Sequence, residues 1–332
     1  MSDRVRVAAG ARIHFGFVNL SLAHERLYGG LGVALDDPET RVVAEPAERV
    51  VCADAHAREY AERAANVLGV AGARVEVESA LPRHAGLGSG TQLALAVFAA
   101  VARANGRESD ERAAAPELGR GGRSGVGVAA FEDGGFLADA GHPTARFTTA
   151  RPDDGEWTVP PVAVRHDVPA EWRFLLVEPD IDPGRDGDEE DDSMRAVVER
   201  ADPAVSDRIA GVLSRRLLPA VAAGNAERFG EAVEDIGRLN GSWYADEQGG
   251  VYRPPVGELV ATLSEHPAVY GAGQSSWGPT VYGITDAARA SEARAAGRAA
   301  LDAAGVDGEV RTVSGRNVGA RVEHGDDAPR NG

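Results

Sequence analysis

Three glycine-rich segments hold the residues of this chain best suited to chemistry. The first runs Pro82-Arg83-His84-Ala85-Gly86-Leu87-Gly88-Ser89-Gly90-Thr91-Gln92. It joins a turn bearing two hydroxyls to an apolar helix expected over Leu93–Ala104. Glycine lets backbone come close to a ligand. A helix start adds unpaired N–H groups and the positive end of a dipole. The pattern predicts an anion site, phosphate first, over a plain strand-to-helix turn. The second segment, Gly119-Arg120-Gly121-Gly122-Arg123-Ser124-Gly125, sets two arginines on a glycine loop. A guanidinium forks onto the paired oxygens of phosphate or carboxylate; a solvated surface turn is the plain alternative. The third, Gly271-Ala272-Gly273-Gln274-Ser275-Ser276-Trp277-Gly278-Pro279-Thr280, sets an amide and hydroxyls beside a tryptophan. Such groups are expensive to bury without partners, so a ligand-facing loop is expected.

Near the N-terminus, Arg12 to Asn19 alternates apolar and polar positions. His14 can titrate near neutrality and act as acid, base or ligand, although a lone strand histidine is more often structural. Asn19 can position a substrate hydroxyl or cap a turn. His84 precedes the first glycine turn and can face a phosphate; His142 stays undecided. Several chemistries are excluded. With no lysine in the chain, there is no G-x-x-x-x-G-K-[ST] loop and no Schiff base. Neither G-x-S-x-G nor H-E-x-x-H occurs.

The elements that must position these loops follow from periodicity and turn residues. Strands are expected at Val5–Ala9, Arg12–Val18, Leu31–Leu35, Arg41–Ala44 and Arg74–Glu78, with turns at Gly29-Gly30 and Asp36-Asp37-Pro38. Helical spacing covers His56–Leu68 and Asp110–Leu118. Val126–Phe131 and Gly135–Ala138 read as a strand pair. Trp172–Val177 is a buried strand, and the acidic run Asp180–Ser193 reads as a solvated loop rather than a metal site. Helices follow at Val205–Ala223, Ala226–Asn240, Gly257–Ser264 and Ala287–Ala304. Strands are expected at Ala268–Gly271, Thr280–Ile284 and Glu309–Val313. Segregated strands and helices favour an α+β class over a doubly wound sheet.

Composition narrows the setting. At 332 residues and 43% hydrophobic content the chain can bury a real core, in two domains or one large one. No run of 18 apolar residues suggests a membrane span. Met1-Ser2-Asp3-Arg4 lacks the basic-then-apolar order of a signal peptide. One cysteine, Cys52, excludes an internal disulfide and a cysteine-clustered zinc site. The net charge of −17 disfavours nucleic acid and anionic membranes as partners. Arginine in place of every lysine, with excess acid, points to a salt-adapted cytoplasm.

Taken in order, the motifs resemble the GHMP superfamily. Within it they are most similar to the β-ribofuranosylaminobenzene 5′-phosphate synthase family. The resemblance rests on Arg12-Ile13-His14-Phe15-Gly16 with Asn19-Leu20, on Gly86–Gln92 with its Gly-Thr-Gln ending, on Gly119–Glu132, and on Gly273–Thr280. It spans about Arg4 to Gly305. Many GHMP kinases carry an S-G-x-D segment with a catalytic aspartate; here it is Ser124-Gly125-Val126-Gly127, with glycine in that place. This argues against an ATP-dependent small-molecule kinase, the second reading; a non-catalytic nucleotide- or metabolite-binding protein is the third.

The resemblance implies a two-domain fold, with a ribosomal S5 domain 2-like unit over 1–165, a ferredoxin-like α/β plait over 166–323, and a disordered tail over 324–332. It implies joining 5-phosphoribosyl diphosphate to 4-hydroxybenzoate or 4-aminobenzoate, with loss of carbon dioxide and diphosphate, on a route to methanopterin-type cofactors. On this basis Gly86, Leu87, Gly88, Ser89, Gly90, Thr91 and Gln92 are assigned to the diphosphate, with a magnesium ion near Ser89 or Thr91. Arg120, Arg123 and Ser124 are expected around the 5-phosphate or the benzoate carboxylate. Gly273, Gln274, Ser275, Ser276 and Trp277 are expected to frame the acceptor. His14 and Asn19 are expected to contact the ribose or the acceptor's para substituent. A homodimer is left open.

Overall fold

Two long antiparallel strands form the backbone of the first unit, β1 (Val5–Asn19) and β2 (Arg26–Pro46). The computed structural model describes residues 4–182 and 187–325, with backbone alone for 187–190. The β1–β2 pair is extended by β3 (Val51–Cys52) and β4 (Ala73–Ser79) in the order β1-β2-β4-β3. The strands β5 (Phe136–Asp139), β6 (His142–Pro143) and β7 (Val162–His166) pair along β2 and β5. The last strand, β12 (Arg321–His324), returns from the far end of the chain to pair with Val5–Ala8. His324 is therefore in a strand, and 326–332 lie outside the described residues.

Helices α1 (Ala55–Leu68) and α2 (Ser89–Ala104) cover one face of this sheet. Their alanines pack on Val5, Val7, Val42 and Val75 in one apolar cluster. Asp54 caps α1 by accepting from Ala57 N–H at 2.8 Å, and Gly69 ends it with φ 63°. After the short α3 (Glu111–Ala114) comes α4 (Val126–Glu132). The sequence reading placed a strand here. A short apolar run cannot by itself separate the two states, and tertiary burial against Ala34 and Leu137 chose the helix.

The second unit is a four-stranded antiparallel sheet, β11-β8-β10-β9, of β8 (Trp172–Pro179), β9 (Gly271–Gln274), β10 (Val281–Asp286) and β11 (Gly308–Val313). Helices α9 (Val256–Ser264) and α10 (Ala290–Ala304) pack on one face. The acidic run expected as a loop is in part α5 (Gly187–Arg200), while 183–186 lie outside the described residues. Met194, Val197 and Val198 supply the buried stripe at helical spacing. The expected helix over Val205–Ala223 is α6 (Pro203–Val212) and α7 (Leu218–Ala222), joined by a π turn. The expected turns at Gly29-Gly30 and Asp36-Asp37-Pro38 lie inside β2, held by its long partner β1. The 23-residue α8 (Ala226–Gln248) lies where the two units meet. Its Phe229 touches the rings of Phe15, Phe136 and Trp172, so one core joins both units.

Candidate active site

The site is built on a kinked stretch of β1. Register shifts fall between Gly10 and Arg12 and between His14 and Gly16. Bulges bend a strand and re-aim its side chains. Asn240 of α8 clamps the bulge, accepting from Phe17 N–H at 2.7 Å and donating to Phe17 O at 3.0 Å. Arg12 donates from its backbone to Leu87 O at 3.0 Å and from its guanidinium to Gly86 O.

The first and third glycine loops form one seam on this strand. Ser275 Oγ accepts from His14 N–H at 3.1 Å and donates to Gly86 O at 2.7 Å. Ser276 N–H donates to His14 O at 3.3 Å, and Thr280 N–H to Ala85 O at 3.2 Å. A Cβ at Gly86, whose φ is +90°, would overlap the Ser275 carbonyl, and one at Gly278 would overlap Ala85. Only glycine permits that approach.

At the same seam α2 begins with Gly88 at φ 87° and without a side-chain cap. Thr91 and Gln92 N–H both bond Gly88 O, at 3.1 and 3.0 Å. The amides of Ser89 and Gly90 find no protein acceptor among the described residues. Arg12 Cγ lies 3.1 Å from the position of a Cβ on Gly88, and the Arg120 guanidinium nitrogens 3.0–3.1 Å from that on Gly90. Arg120 also donates to Tyr60 Oη, with its cation 5.3 Å from that ring's centroid, and its buried Nε has no partner among the described residues. Two guanidiniums over an uncapped helix start have the charge and the donors that suit an anion.

Not every expected residue reaches it. Gln92 is fully buried and donates to Gly127 O at 2.8 Å, tying α2 to α4. Thr91 faces Gly127, where an added Cβ would lie 3.1 Å from Thr91 Cγ2. Arg123, though on the same loop as Arg120, pairs with Asp191 of α5. It lines a separate polar cavity of about 420 Å³ with Tyr28, Arg151, Asp154 and Arg195. Ser124 donates to Asp139 Oδ2 at 3.0 Å and accepts from Val126 N–H at 3.2 Å, fixing the start of α4. Burial pushes the Asp139 carboxyl up, against the backbone hydrogen bonds from Gly141 and Gly125. Asn19 donates to Ser21 O and Arg26 O, and accepts from Ser21 N–H and Ser206 Oγ. Both of its amide hydrogens and both oxygen lone pairs are engaged within the protein, so it holds a turn and has nothing left for a substrate.

On the other side of the seam, His14, Phe17, Tyr244, Tyr252, Gln274 and Trp277 line a slot of about 50 Å³, and none of the described residues lining it is charged. His14 is 4% exposed, and its Nε2 has no partner among the described residues. Burial, reinforced by the Arg12 charge, pulls its pKa from 6.5 down to about 3. The imidazole is neutral near pH 7 and is not a general acid there. Trp277 meets Tyr244 edge-on at 4.6 Å. Gln274 donates to Ser276 O at 3.3 Å and accepts from Arg253 N–H at 3.4 Å, and Gly273 abuts Tyr282. His142 is spent elsewhere, stacked on Phe147 at 3.7 Å, with burial lowering its pKa to about 4. His84 sits on the loop with φ 55°, beside Arg83.

Sequence reasoning had not counted Arg12, Tyr60, Asn240, Tyr252 or Tyr282 among the site residues. Arg12 was legible, two residues before His14 on an alternating strand. The others stand up to 268 positions from His14, and no local pattern marks them. As to metal, no group of three His, Cys, Asp or Glu among the described residues could hold one. Ser89 and Thr91 offer hydroxyls alone, whereas magnesium takes carboxylates and substrate phosphates. The residues fit the ion only as one carried on a ligand's phosphate oxygens.

Known proteins place this geometry. A family model described as GHMP kinases N terminal domain matches residues 50–135, and one described as GHMP kinases C terminal matches 217–303. The chain is similar to the beta-ribofuranosylphenol 5′-phosphate synthase of Methanothermobacter thermautotrophicus, 34% identical over 293 residues, covering 83% of this chain and 87% of that protein. It is 33% identical to the protein of that name from Archaeoglobus fulgidus, over 96% of this chain and 99% of the relative. Among solved structures, a homoserine kinase from Cytophaga hutchinsonii superposes with TM-score 0.65 at 16% identity, over 97% and 98% of the two chains. A mevalonate diphosphate decarboxylase from Staphylococcus aureus gives 0.66 at 13%, with the same coverage. At those identities the solved structures speak for the fold.

Proposed function

The chain belongs to the beta-ribofuranosylphenol 5′-phosphate synthase family, on the GHMP kinase fold, and from that premise we propose how its two-sided site works. The protein is a pentosyltransferase that joins 5-phosphoribosyl diphosphate to a para-substituted benzoate, with release of carbon dioxide and diphosphate. Diphosphate leaves C1 of the ribose with its bonding pair, and a ring π pair forms the new carbon–carbon bond at the carbon bearing the carboxylate. The pair that bound the carboxylate then returns to the ring as carbon dioxide departs. No net proton moves, which suits a site whose buried histidine stays neutral and whose chain has glycine at 127.

The observation that carries this reading is the seam itself. Arg12 lies beside the uncapped start of α2 on one side, and two residues on His14 lines an aromatic slot on the other. The Ser89 and Gly90 amides, Arg12 and Arg120 take the diphosphate and stabilise the charge that develops on it. A bound magnesium would neutralise the leaving diphosphate, with Ser89 and Thr91 as the nearby hydroxyls. Arg123 and Arg151, in the larger polar cavity, suit the 5-phosphate, which would displace Asp191 from Arg123. The acidic, lysine-free composition fits a high-salt interior; no helix among the described residues is long and apolar enough to cross a membrane.

The experiment is incubation with phosphoribosyl diphosphate, magnesium and 4-hydroxybenzoate or 4-aminobenzoate. Equimolar carbon dioxide and diphosphate are expected. ADP formed from ATP with an alcohol acceptor, and no carbon dioxide, would overturn the assignment.

A further inference from the structure

The slot beside the seam holds hydrogen-bonding capacity that the protein does not use. Tyr282 is fully buried, and neither its hydroxyl nor that of Tyr252 has a partner among the described residues. His14 Nε2 is in the same condition on the facing strand. An unsatisfied buried polar group costs on the order of 1–3 kcal/mol, so two on residues lining the slot, His14 and Tyr252, with a third behind Gly237, are an arrangement awaiting an occupant. Both phenolic oxygens lie 3.5 Å from the point where a Cβ on Gly237 would sit. A glycine inside a helix is destabilising by roughly 1 kcal/mol relative to alanine, yet Gly237 lies mid-way along α8. Its missing methyl is what keeps the gap between the two hydroxyls open.

The chemistry of the walls restricts the occupant. Phe17, Tyr244 and Trp277 give aromatic surface, and none of the described residues lining the slot is charged. Burial pushes Tyr252 up to about 12 and raises Tyr282 well above its ordinary value, so both remain O–H groups. A carboxylate placed there would be desolvated, and the Glu234 carboxylate, near enough to push both hydroxyls up, would repel it. A neutral hydroxyl or amine at the end of an aromatic ring is the group that fits, and about 50 Å³ takes that end of the ring alone.

We propose that this slot seats the para substituent of the aromatic acceptor, read by Tyr252 and His14 on its wall and by Tyr282 across the space left by Gly237, an assignment that rests on the benzoate acceptor of the preceding reading. The ring then points its carboxylate-bearing carbon out of the slot, toward the anion side of the seam. As that carbon attacks the ribose, positive charge grows on the para heteroatom, and a hydrogen-bond acceptor there stabilises it.

Gly237→Ala tests the space. The added methyl would stand in ordinary contact with both hydroxyls, and alanine favours the helix, so the variant should fold. Its KM for 4-hydroxybenzoate should rise about tenfold or more, the scale of one lost buried hydrogen bond, with the KM for phosphoribosyl diphosphate unchanged. Inhibition by unsubstituted benzoate should be unaffected, which a general disturbance of α8 would not spare. Tyr252→Phe should weaken both para-substituted acceptors and change the ratio of kcat/KM between hydroxyl and amine. Wild-type acceptor KM values in both variants would overturn the proposal. If the wild-type enzyme makes no product, the catalytic reading fails; calorimetric titration of 4-hydroxybenzoate against benzoate, in wild type and Gly237→Ala, still decides the slot. Equal affinities throughout would end it.

Discussion

On one side of β1, around Arg12, Gly88 and Arg120, the protein presents charge and open backbone amides. On the other, around His14, Tyr252 and Tyr282, it presents neutral groups sealed in aromatic surface. The two regions share a few residues of strand and the Ser275 hydroxyl that binds both His14 and Gly86. The first region offers groups that never lose their charge or dipole, because guanidinium and backbone N–H need no tuning. The second offers groups whose ionisation is suppressed by burial. The seam lets one enzyme keep these environments a few ångströms apart.

Breaking the seam should have the largest effect. Gly86→Ala forces a side chain into the Ser275 carbonyl from a φ of +90°. Loss of at least ~2 kcal/mol of stability is expected, from strain and overpacking together, with activity toward both substrates lost; thermal unfolding and steady-state kinetics check it. Survival of either substrate's KM would show that the two sides are independent.

A smaller effect separates the two arginines of the second loop. Arg120→Ala should lower kcat/KM for phosphoribosyl diphosphate by roughly 2 kcal/mol, about thirtyfold, because it removes a cation over the α2 start. Arg123→Ala should lower it less, since that guanidinium is already paired with Asp191 and exchanges one anion for another. Kinetics of both variants rank them, and the reverse order would move the anion site to the larger cavity.

The smallest effect is read in pH. The folded pKa of His14, about 3, lies below its ordinary value of 6.5. Between those values the unfolded chain binds a proton that the folded chain does not. Stability therefore falls as pH drops from about 6.5 toward 3, and His142 adds a term of the same sign down to about 4. In His14→Gln the slope of melting temperature against pH should be shallower over that window, with no change above pH 7.

Much of the fold was legible because periodicity and caps are local. Asp54 before α1, Asn225 before α8, and the alternation of Arg12–Val18 each mark an element by neighbouring residues alone. The misread run Val126–Phe131 shows the limit. Its side chains are buried all round, so no polar face recorded the helical period. Of the site, the glycine loops were visible and the partners of their side chains were not. Asn19 looks in sequence like a polar group free for a ligand and is consumed within the protein, while Gln92 is buried with its amide nitrogen spent on Gly127 O.

The sequence by itself determined the chemistry available: an anion-binding helix start, arginine as the sole basic side chain, and no nucleophile, lysine or metal cluster of the familiar kinds. The tertiary structure alone decided which polar groups remained for a substrate. That choice depends on burial and on hydrogen bonds such as that between His14 and Ser275, 261 positions apart. It took the fold to put Tyr252 and Gly237 on one slot with His14, and Tyr282 beside Gly237, because such proximity is a property of packing and leaves no trace in local order.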